Sequence, residues 1–232
     1  MNTSRSGRST ALERALDKAI AIPASRIEER VARMRRDRPG ADTAELVELA
    51  GARFRRDAGL SSGAVGASAA IPAISTGAAA ALTVGQSAAF IASAVTYVLT
   101  VAEIQGVHVV DADRRRALVL SALLGKEGSE AVQGQLGLSS MFWAAQVLMQ
   151  MPLPSVKSIN ARLIKRVAKR SAAKGGALAL GRLLPFGIGA AIGWSGGRAL
   201  ANQVIEGAQA ALGPQLALSD YVDSSHVEVI EA

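Results

Sequence analysis

No cysteine occurs among the 232 residues. A disulfide framework, thiolate catalysis and cysteine-ligated metals are therefore excluded, and the composition is compatible with the cytoplasm. Aromatic residues are scarce at 3% of the chain. Stacking platforms for nucleic-acid bases cannot be numerous, and large rings cannot dominate the core. Only two histidines occur, His108 and His226. From Ala58 to Ala102 there is no charged residue at all.

What fills the chain is aliphatic. Half of it is hydrophobic, mostly Ala, Leu, Val and Ile, and 23 residues are glycine. Apolar and polar residues rarely alternate over several positions, so strand signals are weak and the chain reads as all-α. Inside the uncharged run, small residues recur at every fourth place: Ala69, Ala73, Gly77, Ala81, Gly85, Ala89 and Ser93. A second series lies near the C-terminus: Gly189, Gly193, Gly197 and Ala201. Small side chains at this spacing smooth one helical face and let another backbone approach. Gly77, Gly85, Gly189, Gly193 and Gly197 are the candidate helix-packing residues. The two small-residue regions are expected to pack together within a single helical domain over 10–212, between a flexible tail at 1–9 and an acidic tail at 213–232.

Within that domain, capping residues and breakers divide the sequence. Thr10 with Glu13 opens a helix that ends before Pro23, and a second helix from about Ala24 to Arg36 has Ile27, Val31 and Met34 as its apolar face. Asp42 with Glu45 starts a third, expected to end at Asp57 with Gly59 as its C-cap. The uncharged run accommodates two helices of about 20 residues, enough to span a bilayer core. A break at Ser75–Gly77 or Gly85-Gln86 would fold it into a hairpin. Such a hairpin fits the interior of a soluble all-α domain, and it also fits a bilayer. Asp111 caps a helix to about Leu124, with Arg114–Arg116 expected on its exposed side. Gly125–Gly137 reads as a loop with one or two helical turns, and Leu138 to Met151 as a helix ended by Pro152 and Pro154. Pro185 starts or kinks a helix in the second apolar region, and Gly213-Pro214 ends it.

The formal net charge is +7. Such a balance favours anionic surfaces. Its clearest concentration is Ser155–Lys174. There Val156, Ile159, Leu163, Ile164 and Val167 form a stripe, while Lys157, Arg162, Lys165, Arg166, Lys169 and Arg170 take the remaining positions without an offsetting acid. A basic amphipathic helix suits a membrane surface or a partner helix, and equally a surface helix packed on the core. No nucleic-acid motif accompanies these charges. Met1 to Thr10 is polar, and Glu13, Arg14, Asp17 and Lys18 break up the next apolar residues, so export by a signal peptide is not expected.

Catalytic constellations are absent from the pattern. His108 with Glu103, Asp111 and Asp113 has the residue types of a metal set but lacks helical i, i+4 pairing; a cap, a helix-end acid and a loop histidine account for the same residues. Gly193-Trp194-Ser195-Gly196-Gly197 lacks the strand–turn–helix context of a nucleophile elbow. No Gly-Lys-Ser/Thr comes after the glycines to make a phosphate loop. No catalytic residue, cofactor, metal or small-molecule substrate is indicated.

Three segments resemble the EcsC family of bacterial proteins: Arg53-Phe54-Arg55-Arg56-Asp57-Ala58-Gly59-Leu60 leading into the Ala/Gly run; Val101-Ala102-Glu103-Ile104-Gln105-Gly106 followed by Asp111-Ala112-Asp113-Arg114-Arg115-Arg116-Ala117-Leu118; and Leu183-Leu184-Pro185-Phe186-Gly187-Ile188-Gly189-Ala190-Ala191-Ile192-Gly193. Together they extend over about residues 40 to 210. The family often has an Asn where this chain has Gly197. The founding member is encoded beside an ABC transporter linked to secretion, and the family has no established activity or catalytic residues. The resemblance implies an all-α hydrophobic protein working at the bacterial membrane. With no catalytic constellation in the sequence, the expected function is non-enzymatic, at the inner face of the cell membrane and accessory to transport or secretion. The partner expected is an anionic membrane surface or a membrane protein. The alternative is a soluble helical interaction module whose basic face docks an acidic partner.

Overall fold

Helices start where the sequence places acceptors for their free N–H groups. The Oδ1 of Asp42 accepts from the backbone N–H of Glu45 at 2.8 Å, and that of Asp111 accepts from Arg114 at 3.0 Å. These are N-cap bonds, each satisfying one otherwise orphaned donor. The computed structural model describes residues 13–68, 76–136, 143–181 and 188–213. The expected tails, apart from Gly213, lie outside those residues.

The described elements are α1 (13–20), α2 (Ala24–Asp37), α3 (Thr43–Ser68), α4 (Thr76–Ile104), α5 (Ala112–Leu124), α6 (Lys126–Leu136), a π-helical turn (Ala144–Leu148), α7 (Leu153–Gly181) and α8 (Ile188–Leu212). The protein is all-α, and the described residues contain no strand. α5 lies at the centre, packed against α4, α6, α7 and α8, while α8 runs chiefly along α3 and α2 lies on α4. From Ala117 to Ala122 every residue of α5 is buried. Ala117, Leu118, Val119, Leu120 and Ala122 supply the apolar surface that such a position demands; Ser121 is the exception, its hydroxyl buried without a hydrogen-bond partner.

Three boundaries differ from those expected. α3 does not stop at Gly59; it continues to Ser68. Ala58 and Gly59 are buried there, and tertiary packing outweighs the roughly 1 kcal/mol that glycine costs a helix. The segment after Gly125 is not mainly loop but the helix α6. Gly125 takes φ 72° and turns the chain, and Gly128 then sits directly on the backbone of Ser121, so α6 folds back onto α5. Gly77, Gly85 and Gln86 lie inside α4, so no break falls at them; Ser75, the remaining candidate, lies outside the described residues. The expected helix Leu138 to Met151 is described from Trp143 onward, where it takes a π-helical turn.

Within α4, Ser87–Ile104 has a mean hydropathy of 1.6 and is long enough to cross a membrane, yet 56% of it is buried inside the fold. Length and composition of this kind describe a core helix equally well. Gly106, at φ 76°, ends the helix after Glu103. The second small-residue region is seen best at Gly197. A Cβ there would lie 2.5 Å from the carbonyl oxygen of Ala58 and 2.5 Å from Oγ of Ser62. Its neighbour is thus α3, upstream of the Ala69–Ser93 series. Gly77, Gly85, Gly189 and Gly193 are helical, but their packing lies outside what is described.

Candidate functional site

The first turn of α5 holds several other elements in place. Asp111 caps it, and the next residues reach outward in different directions. Asp113 takes α7: its carbonyl oxygen accepts from Nδ2 of Asn160 at 2.9 Å, and its carboxylate lies 3.9 Å from Nζ of Lys157. Arg114 donates from Nε to the carbonyl of Leu148 and from a terminal nitrogen to that of Met151, both at 3.0 Å, fixing the chain that enters α7. Arg116 pairs with Asp17 of α1.

Arg115 is the deepest of these, at 6% exposure. Its Nε donates to the carbonyl of Val109 at 2.6 Å, and Nη1 donates to those of Ile20 at 3.2 Å and Ile22 at 2.6 Å. Ile20 is the last residue of α1, so the guanidinium sits at the negative end of that helix dipole. Burial pushes the Arg115 pKa below the ordinary arginine value. The expectation that Arg114–Arg116 lie on the exposed side of α5 is therefore wrong. Arg115 shares the spacing of Leu118, Val119 and Ala122, the inward stripe, and that periodicity is the signal that identifies it.

α7 is placed by this turn and by its own apolar stripe. Val156, Ile159 and Leu163 are at most 2% exposed, while Ile164 and Val167 are half-buried. Each such burial contributes roughly 1.5–3 kcal/mol. The stripe expected from sequence is thus committed to the protein's own core. Lys157, Arg162, Lys165, Arg166 and Lys169 are exposed; the side chain of Arg170 lies outside those described. Lys157 has Asp113 as an offsetting acid, contrary to expectation. Among the described residues no ion pair involves Arg162, Lys165, Arg166 or Lys169. The basic residues of α3 and α2 are interspersed with acids. Arg55 pairs with Glu48 at 2.5 Å, Arg56 lies 3.5 Å from Asp57, and α2 intersperses Glu28, Glu29 and Asp37 with its arginines. α7 has no acid of its own from Leu153 to Gly181.

Elsewhere among the described residues, His108 and Trp143 make structural pairs. Nδ1 of His108 donates to Oε2 of Glu103 at 2.8 Å. Among the described residues no three His, Asp or Glu side chains gather as a metal set. The indole of Trp143, fully buried, donates to Oγ of Ser129 at 2.7 Å, and that hydroxyl donates to the carbonyl of Ala210 at 3.0 Å. This chain of bonds ties the π-helical turn to α6 and α8.

Three of the eight aromatic residues meet between α3 and α4. Phe54 stacks on Tyr97 with centroids 5.0 Å apart and planes at 9°, and Phe90 lies 5.9 Å from Phe54. The Tyr97 hydroxyl is buried without a hydrogen-bond partner. Burial raises its pKa well above the ordinary phenol value; nearby Arg55 opposes this and Glu48 adds to it. Because the folded state resists ionisation, stability is full below the unfolded phenol pKa of about 10 and falls as pH rises beyond it. Tyr97→Phe removes both the unmet hydroxyl and this titration. It is expected to be neutral or stabilising by up to about 1 kcal/mol at pH 7. The variant's advantage should widen above pH 10 in denaturant titrations, where a constant difference would contradict the assignment.

The fold thus defines a class, an all-α bundle in which, among the described residues, α7 presents a basic face on a helix without acids of its own. No family model, curated protein or solved structure matches the chain.

Proposed function

We propose that this is a non-enzymatic helical protein that associates with the inner face of a membrane, similar in kind to the EcsC family and accessory to transport or secretion. The observation that carries the reading is the outer face of α7, where Arg162, Lys165, Arg166 and Lys169 are exposed and unpaired among the described residues. The mode of contact follows from the burial of the opposite face. Val156, Ile159 and Leu163 are engaged by the core, and peeling them away to enter lipid would forfeit several kcal/mol. The contact is therefore electrostatic and superficial, at about 1 kcal/mol per basic residue near an anionic surface.

The test is co-sedimentation of the full chain with vesicles containing anionic phosphatidylglycerol, against vesicles of phosphatidylcholine alone. Binding is expected only to the first, and it should weaken steeply between 0.1 and 1 M salt as the screening length falls from about 10 Å to about 3 Å. Changing Arg162, Lys165, Arg166 and Lys169 together to Glu should reduce it at least about hundredfold. Unchanged binding by that variant would sink the reading. The burial of most of Ser87–Ile104 inside the fold favours a second reading, a soluble interaction module. In that case the same four residues dock an acidic protein and the wild type ignores anionic vesicles.

A further inference from the structure

A cleft of about 220 Å³ opens where α2, α3 and α4 meet. Arg30 comes to it from α2 and Asp57 from α3, while Phe54 and Tyr97 line it with their stacked rings. Ser93, Thr96 and Thr100 add hydroxyls along α4. We propose that this cleft binds a small zwitterion, its anionic end on Arg30 and its ammonium end on Asp57.

The charges on the cleft are of opposite sign and are not paired with each other. Arg30 has no ion pair among the described residues, and Asp57 has only the exposed Arg56, 3.5 Å away. Such an exposed contact is easily exchanged for a ligand. Hydroxyls on α4 add polar contacts. Thr96 donates to the carbonyl of Ala92 at 2.8 Å and keeps lone pairs for a bound molecule, while Thr100, only 1% exposed, donates to the carbonyl of Thr96 at 2.6 Å. Ser93 has no hydrogen bond among the described residues and keeps a donor for a bound molecule. Tyr97, also on the cleft, has its hydroxyl buried and unpartnered. An anion alone would meet Asp57, and a cation alone would meet Arg30. A molecule with both ends satisfies the set.

Size narrows the class further. A volume of 220 Å³ corresponds to about seven waters at roughly 30 Å³ each. That admits an α-amino acid or an ethanolamine phosphate, and it is below the roughly 300 Å³ of sites for drug-sized ligands. The two sources are a free amino acid and a phospholipid headgroup, and they share this chemistry. The inference does not rest on the membrane reading, because Arg30 and Asp57 are not on α7.

The test is calorimetric titration of the full chain with L-serine and with glycerophosphoethanolamine, using inorganic phosphate and methylamine as one-ended controls. Saturable binding of at least one zwitterion is expected. Arg30→Gln and Asp57→Asn should each weaken it at least about tenfold, the loss of one charge-assisted contact. Ala92→Trp, an exposed position on the cleft, should abolish it by filling the space without changing charge. Circular dichroism of each variant checks that it is folded. Binding of serine alone assigns a free amino acid, and binding of glycerophosphoethanolamine alone assigns a headgroup. The proposal is overturned if neither zwitterion saturates, if phosphate or methylamine binds as tightly, or if all three variants bind like the wild type.

Discussion

Arg115→Met is expected to destabilise the protein by about 3–5 kcal/mol, through loss of its charge-assisted hydrogen bonds and the orphaning of their carbonyl acceptors. The guanidinium is 6% exposed and holds three backbone carbonyls, those of Ile20, Ile22 and Val109. Methionine is of similar length but leaves these acceptors, two in buried and one in part-buried contacts, without their donor. Each hydrogen bond to a charged group contributes about 1.5–3 kcal/mol, and the orphaned acceptors add their own desolvation cost. For a chain of this length, each kcal/mol lowers Tm by about 2–4 °C, so a fall of roughly 6–20 °C is expected by calorimetry. Arg115→Lys should recover less than half of the loss, because one ammonium cannot reproduce a planar fork spanning three acceptors. The damage should be local first. Ile20 and Ile22 flank the α1–α2 connection, so limited proteolysis near residues 21–23 should accelerate before the rest of the fold is cut. A loss below about 1 kcal/mol would contradict the role of Arg115 as the anchor of α1.

Much of the helical framework was legible because its signals are local. The caps at Asp42 and Asp111 need only the following turn. The stripes Ile27, Val31, Met34 and Val156, Ile159, Leu163 need only a period of 3.6. What was not legible depends on neighbours distant in the chain. Gly59 carries an ordinary C-cap signature, and only α8 lying against Ala58 and Ser62 makes it a mid-helix residue. The backbones at Gly128 and Gly207 approach closely outside any regular small-residue series, so periodicity does not reveal them. The basic face of α7 was legible as charge, but not its mode of use, because whether the stripe behind it meets lipid or core is decided by α5. The zwitterion cleft was not legible at all. Arg30, Asp57 and Ser93 belong to three helices, and no spacing relates them.

The arginines of α5 show how these levels join. Asp111 sets the helix start, the helical period then turns Arg114 and Arg115 in different directions, and their reach decides which elements they hold. Arg114 fixes the carbonyls of Leu148 and Met151 just before α7 begins. A change there should disturb the orientation of α7 without touching any residue of its basic face. Arg115 instead holds α1. One short basic run therefore contributes to the candidate surface indirectly, by positioning it, although its charges do not form part of it.

Two adjacent glycines in α8 should respond to the same substitution with opposite signs. Gly196→Ala is expected to stabilise by about 0.5–1 kcal/mol, since alanine is the better helix former and reduces the freedom of the unfolded chain. A Cβ at Gly196 meets nothing within 4 Å. Gly197→Ala gains the same propensity but drives its Cβ to 2.5 Å from the carbonyl oxygen of Ala58 and 2.8 Å from Cβ of Ser62. The oxygen belongs to the α3 backbone, so relief requires moving one helix away from the other rather than rotating a side chain. Overpacking of this kind costs about 1–3 kcal/mol and more for larger residues. Gly197→Leu should therefore cost more than Gly197→Ala, whereas Gly196→Leu should stay close to the wild type. Gly207→Ala should behave like Gly197→Ala, because its Cβ would lie 2.5 Å from the carbonyl of Ala122 on α5. Denaturant midpoints at fixed m-value measure all five variants. Equal effects at 196 and 197 would mean that glycine serves only the conformation of α8. Opposite effects locate its purpose in the approach of two backbones, and they establish α3, rather than the Ala69–Ser93 series, as the surface that Gly197 meets.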